Sequence, residues 1–483
     1  MVNNVRVWVL IVELLEERFR AEPDKVELLF EKACLLTKLG RMIEARNTYL
    51  ELLARQPSHV GALNNLGTLL YNTGFRSAAR TAYTEAVSRH PSDPMGHVNL
   101  ANLFLKDGEF ELAREHYSTA LQLTPNHREA HKGLSYVYAE LGNEVEADFH
   151  RQLGFQGQSI VEFPYHGAVK PIRLLLLVSA VGGNTPTANF LDDRVFQTFV
   201  VFVEFCDSDT PLPPHEFVFN AISDADLAYP ALEAAQVILE RTSAPVINDP
   251  SDVLFTRRVD IAHRFSQVPG VITPRTAVLS RALLQSSDAC TALMNQGFEF
   301  PILLRRPGFH TGRHFIRVND ALELVSAIDD LKGDDFLVLQ YLNSQAADGS
   351  FRKYRVMMIQ GKLYPLHLAI SRDWKVHYFT SEMAAYSGYR AEEAVFLQDM
   401  SAVLGGRIMA ALKRIQHELK LDYAGIDFGV NEDGDLLLFE VNATMVVNPP
   451  EPDERWDYRR QAIDQVFQAV RSMLISTANT NLG

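Results

Sequence analysis

Leu421-Asp422-Tyr423-Ala424-Gly425-Ile426-Asp427-Phe428-Gly429-Val430, Asn431-Glu432-Asp433-Gly434-Asp435 and Leu436-Leu437-Leu438-Phe439-Glu440-Val441-Asn442-Ala443 read as strand, turn and strand. Two apolar runs flank Asp433-Gly434, a dipeptide that favours a two-residue hairpin turn. With those two residues at the turn, Asp427 stands opposite Glu440. Asn442, two residues further on, shares their face. Facing carboxylates repel across a ladder. A divalent cation reverses that cost, because two carboxylates and an amide oxygen are the hard donors magnesium takes. For the hairpin alone, a solvated strand face is the alternative reading.

Upstream, a helix is expected over about 391–419. Before it, Arg352 to Ile359 and Lys362 to Ile370 flank Gln360-Gly361 as a second hairpin, followed by Ser371-Arg372-Asp373-Trp374-Lys375-Val376-His377. Phe336 to Leu342 is a strand ending in Gln340-Tyr341-Leu342. Phe300 to Arg306 is a strand running into the cationic loop Pro307 to His314. Backbone amides and guanidinium groups in such a loop suit polyphosphate. His310, His314, His367 and His377 are candidate bases, with structural imidazoles as the alternative.

Further back, the continuous apolar runs Arg173 to Ala180, Thr198 to Phe205 and Glu216 to Ile222 suit strands buried on both faces. With a helix over Leu227 to Arg241 and the turn Asn248-Asp249-Pro250 they make a parallel α/β unit over about 170–270. Gly182-Gly183-Asn184-Thr185 lacks the lysine of a phosphate loop and reads as a tight turn beside a cleft.

In this order the pieces resemble the ATP-grasp superfamily over about 170–475, including its ligases that join a carboxylate to an amine. The resemblance implies an α+β fold holding ATP between two lobes, preceded by the α/β subdomain. It implies magnesium, with manganese as a substitute, on Asp427, Glu440 and Asn442. Arg306 takes the place of a phosphate-contacting lysine, and Arg257 or Arg258 stands near an earlier one. Gln340, Tyr341 and Leu342 match the adenine hinge, Arg355 the arginine near the γ-phosphate, and Arg372 a group serving phosphate or the acyl donor. The implied reaction phosphorylates a carboxylate of a small molecule or peptide to an acyl phosphate, which an amine then attacks. A nucleotide-binding scaffold without ligase activity and a kinase on the same fold are the alternatives.

The first third carries a different signature. Pro23, Pro57, Pro91 and Pro125 recur at a fixed step, as do Gly40, Gly74, Gly108 and Gly142, and Ala45, Ala79, Ala113 and Ala147. Tyr49, Tyr83 and Tyr117 follow it, and Arg151 breaks the series. This register resembles the tetratricopeptide repeat family over about 23–155. An all-α solenoid whose groove receives a peptide or protein is implied. Asn64, Asn65, Asn99 and Asn102 are candidates to bind peptide backbone, with helix packing as the alternative.

The expected organisation is therefore multidomain. It comprises repeats over 1–155, a linker over 156–170, the α/β subdomain over 171–270, the ATP-grasp domain over 271–476 and a tail over 477–483. The chain carries 46 basic and 60 acidic residues, which gives no general footprint for nucleic acid. Cys34, Cys206 and Cys290 form no metal-binding pair. Met1 to Glu16 reads as an amphipathic helix, and no apolar run is long enough to span a membrane. A cytoplasmic location is the expectation.

Overall fold

The computed structural model of the protein describes residues 17–18, 21–22, 25–306, 315–331, 333–377, 381–450 and 453–480. The expected helix over 1–16 and the loop Pro307 to His314, with His310 and His314, lie outside them. The chain divides into two compact units, Met1–Gln158 with His166–Lys170, and Ser159–Tyr165 with Pro171–Gly483.

Among the described residues the first unit holds four helix pairs: α1 (Val26–Lys38) with α2 (Met42–Arg55), α3 (Val60–Asn72) with α4 (Arg76–Arg89), α5 (Pro94–Asp107) with α6 (Phe110–Leu123), and α7 (Arg128–Leu141) with α8 (Glu144–Phe155). The recurring residues have distinct tasks. Gly40, Gly74, Gly108 and Gly142 sit between the paired helices with φ of 73° to 89°, a backbone that favours glycine. The four alanines are fully buried. Each tyrosine hydroxyl bonds back to the preceding helix: Tyr49 to Cys34 Sγ, Tyr83 to Thr68 Oγ1, and Tyr117 to Asn102 Oδ1. Arg151, in the last pair, is buried and paired with Asp148.

The asparagines are used inside the solenoid, as the helix-packing reading expects. Asn99 Nδ2 donates to Asn64 Oδ1 at 2.8 Å, and Asn64 Nδ2 donates to Val60 O and Asp93 Oδ2. Asn65 Nδ2 donates to the Tyr49 hydroxyl and Cys34 Sγ. Two histidine pairs also keep the register: His97 with His116 at 3.0 Å, and His131 with His150 at 2.8 Å between Nδ1 atoms. Nε2 of His97 and of His131 donates to the carbonyls of Pro91 and Pro125. Their Nδ1 atoms therefore accept, and the partner ring donates.

Among the described residues the second unit contains three sheets. The first has the order β1-β3-β2-β4-β5, with β1 (Ile160–Glu162), β2 (Ile172–Val178), β3 (Phe196–Phe202), β4 (Phe217–Asn220) and β5 (Val246–Ile247). β2 to β5 run parallel and β1 is antiparallel to β3, so the expected linker contains an edge strand. The chain goes from β2 to β3 on one side, then to β4 on the other, which makes the carboxyl end of β2 a switch point. The second sheet is antiparallel, with β7 (Thr276–Ser280), β10 (Asp335–Gln340), β8 (Ile302–Arg305) and β9 (Phe315–Val318) in that order. The third has β12 (Lys362–Ser371), β11 (Phe351–Ile359), β13 (Tyr423–Val430), β14 (Leu436–Asn442) and β6 (Val271–Ile272).

The first and third sheets share a hydrophobic core, and the Asn248 side chain ties them by hydrogen bonds. Asn248 Nδ2 donates to Tyr423 O at 2.8 Å and its Oδ1 accepts from Tyr423 N at 2.9 Å. Where one helix was expected over 391–419, two occur, Ser387–Gln398 and Met400–Leu419, bent by 64°. Asp399 ends the first and caps the second by accepting from Ala402 N. Glu393, fully buried, accepts from Arg459 and from the Tyr458 hydroxyl, each at 2.5 Å. No single helix among the described residues is long and apolar enough to cross a membrane.

Candidate functional site

The opening hairpin forms, with an altered turn. Val430 pairs with Leu436, so the turn is the five residues Asn431–Asp435 and not Asp433-Gly434 alone. Asn431 Oδ1 accepts from Asp435 N at 2.7 Å and closes it. That turn would set Asp427 opposite Phe439. A bulge at Phe439 removes the offset and returns Asp427 to Glu440. The Gln360-Gly361 hairpin has its own bulge: Val356 pairs with Pro365 and Arg355 with His367, leaving Leu366 unpaired. Arg355 in turn pairs with Asp427. His367, Arg355, Asp427 and Glu440 thus form one row across four strands.

Arg355, Asp427 and Glu440 of this row line a cavity of about 490 Å³ within the second unit, and His367 is not among the lining residues. The lining includes a group of adjoining rings, Phe315, Tyr341 and Trp374, and the aliphatic Leu303, Leu339 and Leu342. Trp374 stands edge-on to Tyr341 at 6.2 Å and 5.6 Å from Phe315, and the Arg317 guanidinium lies 4.2 Å from the Tyr341 ring centroid. The lining also carries Arg258, Arg305, Lys353, Arg355, Lys375, Asp427 and Glu440. The Arg305 guanidinium lies 5.8 Å from the Phe315 ring centroid, and Lys375 Nζ donates to Phe315 O at 3.2 Å. Gly183, Asn184 and Pro186, from the loop after β2, also line it. The cavity therefore lies beside the switch point.

The charges are strongly paired. Arg355 grips Asp427 with two parallel bonds, Nε to Oδ1 at 2.5 Å and Nη2 to Oδ2 at 2.7 Å. Lys353 Nζ lies 3.2 Å from Asp427 Oδ2. Arg258 bridges Asp226 at 2.6 Å and Glu440 at 2.7 Å. Burial works against the charge on Asp427, but Arg355 and Lys353 hold its carboxyl well below the usual range. Burial, with Arg258 adding repulsion, pushes Arg305 down to about 10. Burial lowers His367 well below its ordinary value and lowers His377 too, and the neighbouring cations add to both.

Of the residues expected at the site, the cavity gathers Gln340, Tyr341, Leu342, Arg355, Asp427, Glu440 and Asn442. Three placements differ from expectation. Arg305, not Arg306, lines the cavity, since neighbours on a strand face opposite ways. Arg306 passes beneath Gly333. The Gln340 side-chain amide is turned to the backbone, bonded to Glu299 on both its atoms and to Pro301 O. Arg372 is exposed outside the cavity, its backbone N–H donating to Glu382.

Lys353, Lys375, Phe315 and Trp374 are additions. Strand parity relative to Arg355 marks Lys353; no local signal marks the other three.

The magnesium set comes together, but its oxygens are engaged. Both Asp427 oxygens hold cations, and Glu440 Oε1 holds Arg258. Asn442 Oδ1 accepts from Thr444 N at 3.0 Å and Thr444 Oγ1 at 2.6 Å. A magnesium ion on all three would have to displace Arg355 and Lys353 from Asp427 and Arg258 from Glu440. This arrangement does not fit the expected metal centre.

The family model of the tetratricopeptide repeat matches residues 30–94, 65–128 and 98–147. No curated protein matches the chain. Solved structures resembling it include a MamA protein, at 18% identity and a TM-score of 0.27 over 30% of this chain and 79% of that one. MamA 41-end from Desulfovibrio magneticus RS-1 has 22% identity and a TM-score of 0.27, over 29% and 78%. PilW, titled a widely conserved type IV pilus biogenesis factor, has 18% identity and a TM-score of 0.28, over 31% and 69%. The helix pairs and the matching repeats make the N-terminal region of this chain a tetratricopeptide repeat domain.

Proposed function

We propose that the second unit binds ATP and uses it to ligate a carboxylate to an amine, while the repeat domain recruits a peptide or protein partner. The supporting observation is the composition of the cavity lining. Its three adjoining rings suit a purine, and its five cations suit a triphosphate. Arg355 and Lys353 are fixed by Asp427 and need little reorganisation to meet developing charge on a transferring phosphoryl group. In that reaction the substrate carboxylate oxygen bonds to the γ-phosphorus and the bond to ADP breaks. The amine nitrogen then displaces phosphate from the acyl carbon and loses a proton. The loop at Gly183 and Asn184 is where the acyl donor would enter.

A second reading, a nucleotide-binding repeat scaffold without ligase activity, is favoured by the engagement of Asp427 and Glu440 with basic side chains. Measurement of ADP release from the full chain separates the two. Release that requires both a peptide carboxylate and an amine supports ligation. ATP binding with no release under any pairing supports the scaffold, and no ATP binding rejects both.

A further inference from the structure

The cavity wall carries its own cations at the positions where a metal-dependent site would need its carboxylates free. Arg258 sits on Glu440, and Arg355 and Lys353 sit on Asp427. The lining residues include five cations, Arg258, Arg305, Lys353, Arg355 and Lys375, against two carboxylates, and with Asp226, which holds Arg258 from outside the lining, two positive charges are left. We infer that this site takes its polyphosphate ligand free of divalent metal, with Arg258, Lys353 and Arg355 standing in for the metal. The inference rests on the anionic part of the proposed function, not on the adenine.

Three physical points carry it. A buried bidentate arginine–carboxylate pair is among the stronger polar contacts, and splitting it leaves an uncompensated charge on each side. Magnesium demands near-octahedral oxygen ligands and sheds water reluctantly, so it competes poorly for oxygens already held. A metal-free triphosphate also carries two more negative charges than its magnesium complex, and a net positive wall prefers the former.

The test is calorimetric titration of the full chain with inorganic tripolyphosphate, then ATP, once in EDTA and once in excess magnesium. Tripolyphosphate is expected to bind in EDTA and to weaken about tenfold when magnesium sequesters it. Glu440→Gln, which removes a negative charge but leaves Arg258 its Asp226 partner, is expected to tighten metal-free binding several-fold. Lys375→Gln, away from both ion pairs, is expected to weaken it about tenfold.

Binding that appears only with magnesium or manganese overturns the inference, as does loss of binding in Glu440→Gln that is folded. Absence of tripolyphosphate binding in both buffers overturns it as well. Tripolyphosphate binding in EDTA with ATP no tighter leaves the inference standing and rejects the nucleotide reading.

Discussion

Asp427 faces Glu440 because Phe439 is left out of the ladder between their strands. Gly429 makes room for the displaced ring: a Cβ there would lie 2.8 Å from both Phe439 Cζ and Ser344 Cβ. Gly429→Ala should therefore push Phe439 from its seat. Overpacking of this kind costs about 1–3 kcal/mol. Urea denaturation of the second unit should show an earlier midpoint, and an unchanged midpoint would mean the bulge relaxes freely.

Glu393 is a buried carboxylate whose charge is kept by Arg459. Burial raises its pKa and Arg459 opposes the rise. In Arg459→Met nothing comparable opposes it, and breaking a buried pair costs about 3–5 kcal/mol. The sign of the pH effect follows from the raised value. The folded state then binds a proton the unfolded state has lost, so stability falls as pH rises. The variant should recover part of its loss at pH near 5 relative to pH near 8. An equal loss at both would assign the effect to packing.

The repeat domain should respond to pH in the opposite direction. Burial, then His131, depresses His150 from 6.5 to about 4, and burial with His97 lowers His116. Unfolding frees both rings to take protons at an ordinary value. Their contribution is therefore present above pH 6.5 and lost as pH falls through about 4. Thermal melts of helical signal should shift down across that window in the wild type. His150→Phe should flatten the shift; the same slope in both would remove the histidine pair as its source.

Trp374 should matter to a base and not to phosphate. Trp374→Ala removes an aromatic wall of the cavity, and stacking of one base is worth about 1–3 kcal/mol. ATP affinity should fall about tenfold or more. Tripolyphosphate affinity should stay within about twofold, because the cations are untouched. Equal losses for both ligands would place the base elsewhere.

The repeats were legible because their signal is local and recurs: a glycine for each turn, an alanine for each close contact, a tyrosine for each hydrogen bond to the preceding helix. The asparagines were not, since Asn64 and Asn99 bond to each other across two repeats and sequence does not record that meeting. The hairpin was legible in its outcome but not in its route. A turn longer than expected and an unforeseen bulge cancelled, and Asp427 met Glu440 by two offsetting errors of register. Arg305 and Arg306 differ by one position, which on a strand is a choice of face that only pairing with β10 makes. The partners of Asp427 were hidden for a like reason. Charged residues show in a sequence, whereas neutralisation by Arg355 and Lys353 depends on which strands lie side by side.

Asn248 joins two sheets by presenting its amide to Tyr423 as a backbone peptide would. The amide acts as a key that fits one notch of β13. If β13 slid by a residue, Tyr423 would turn its other face and the key would meet nothing. The first sheet thus helps to set the alignment of the third, and the charged row takes part of its register from a residue that does not line the cavity.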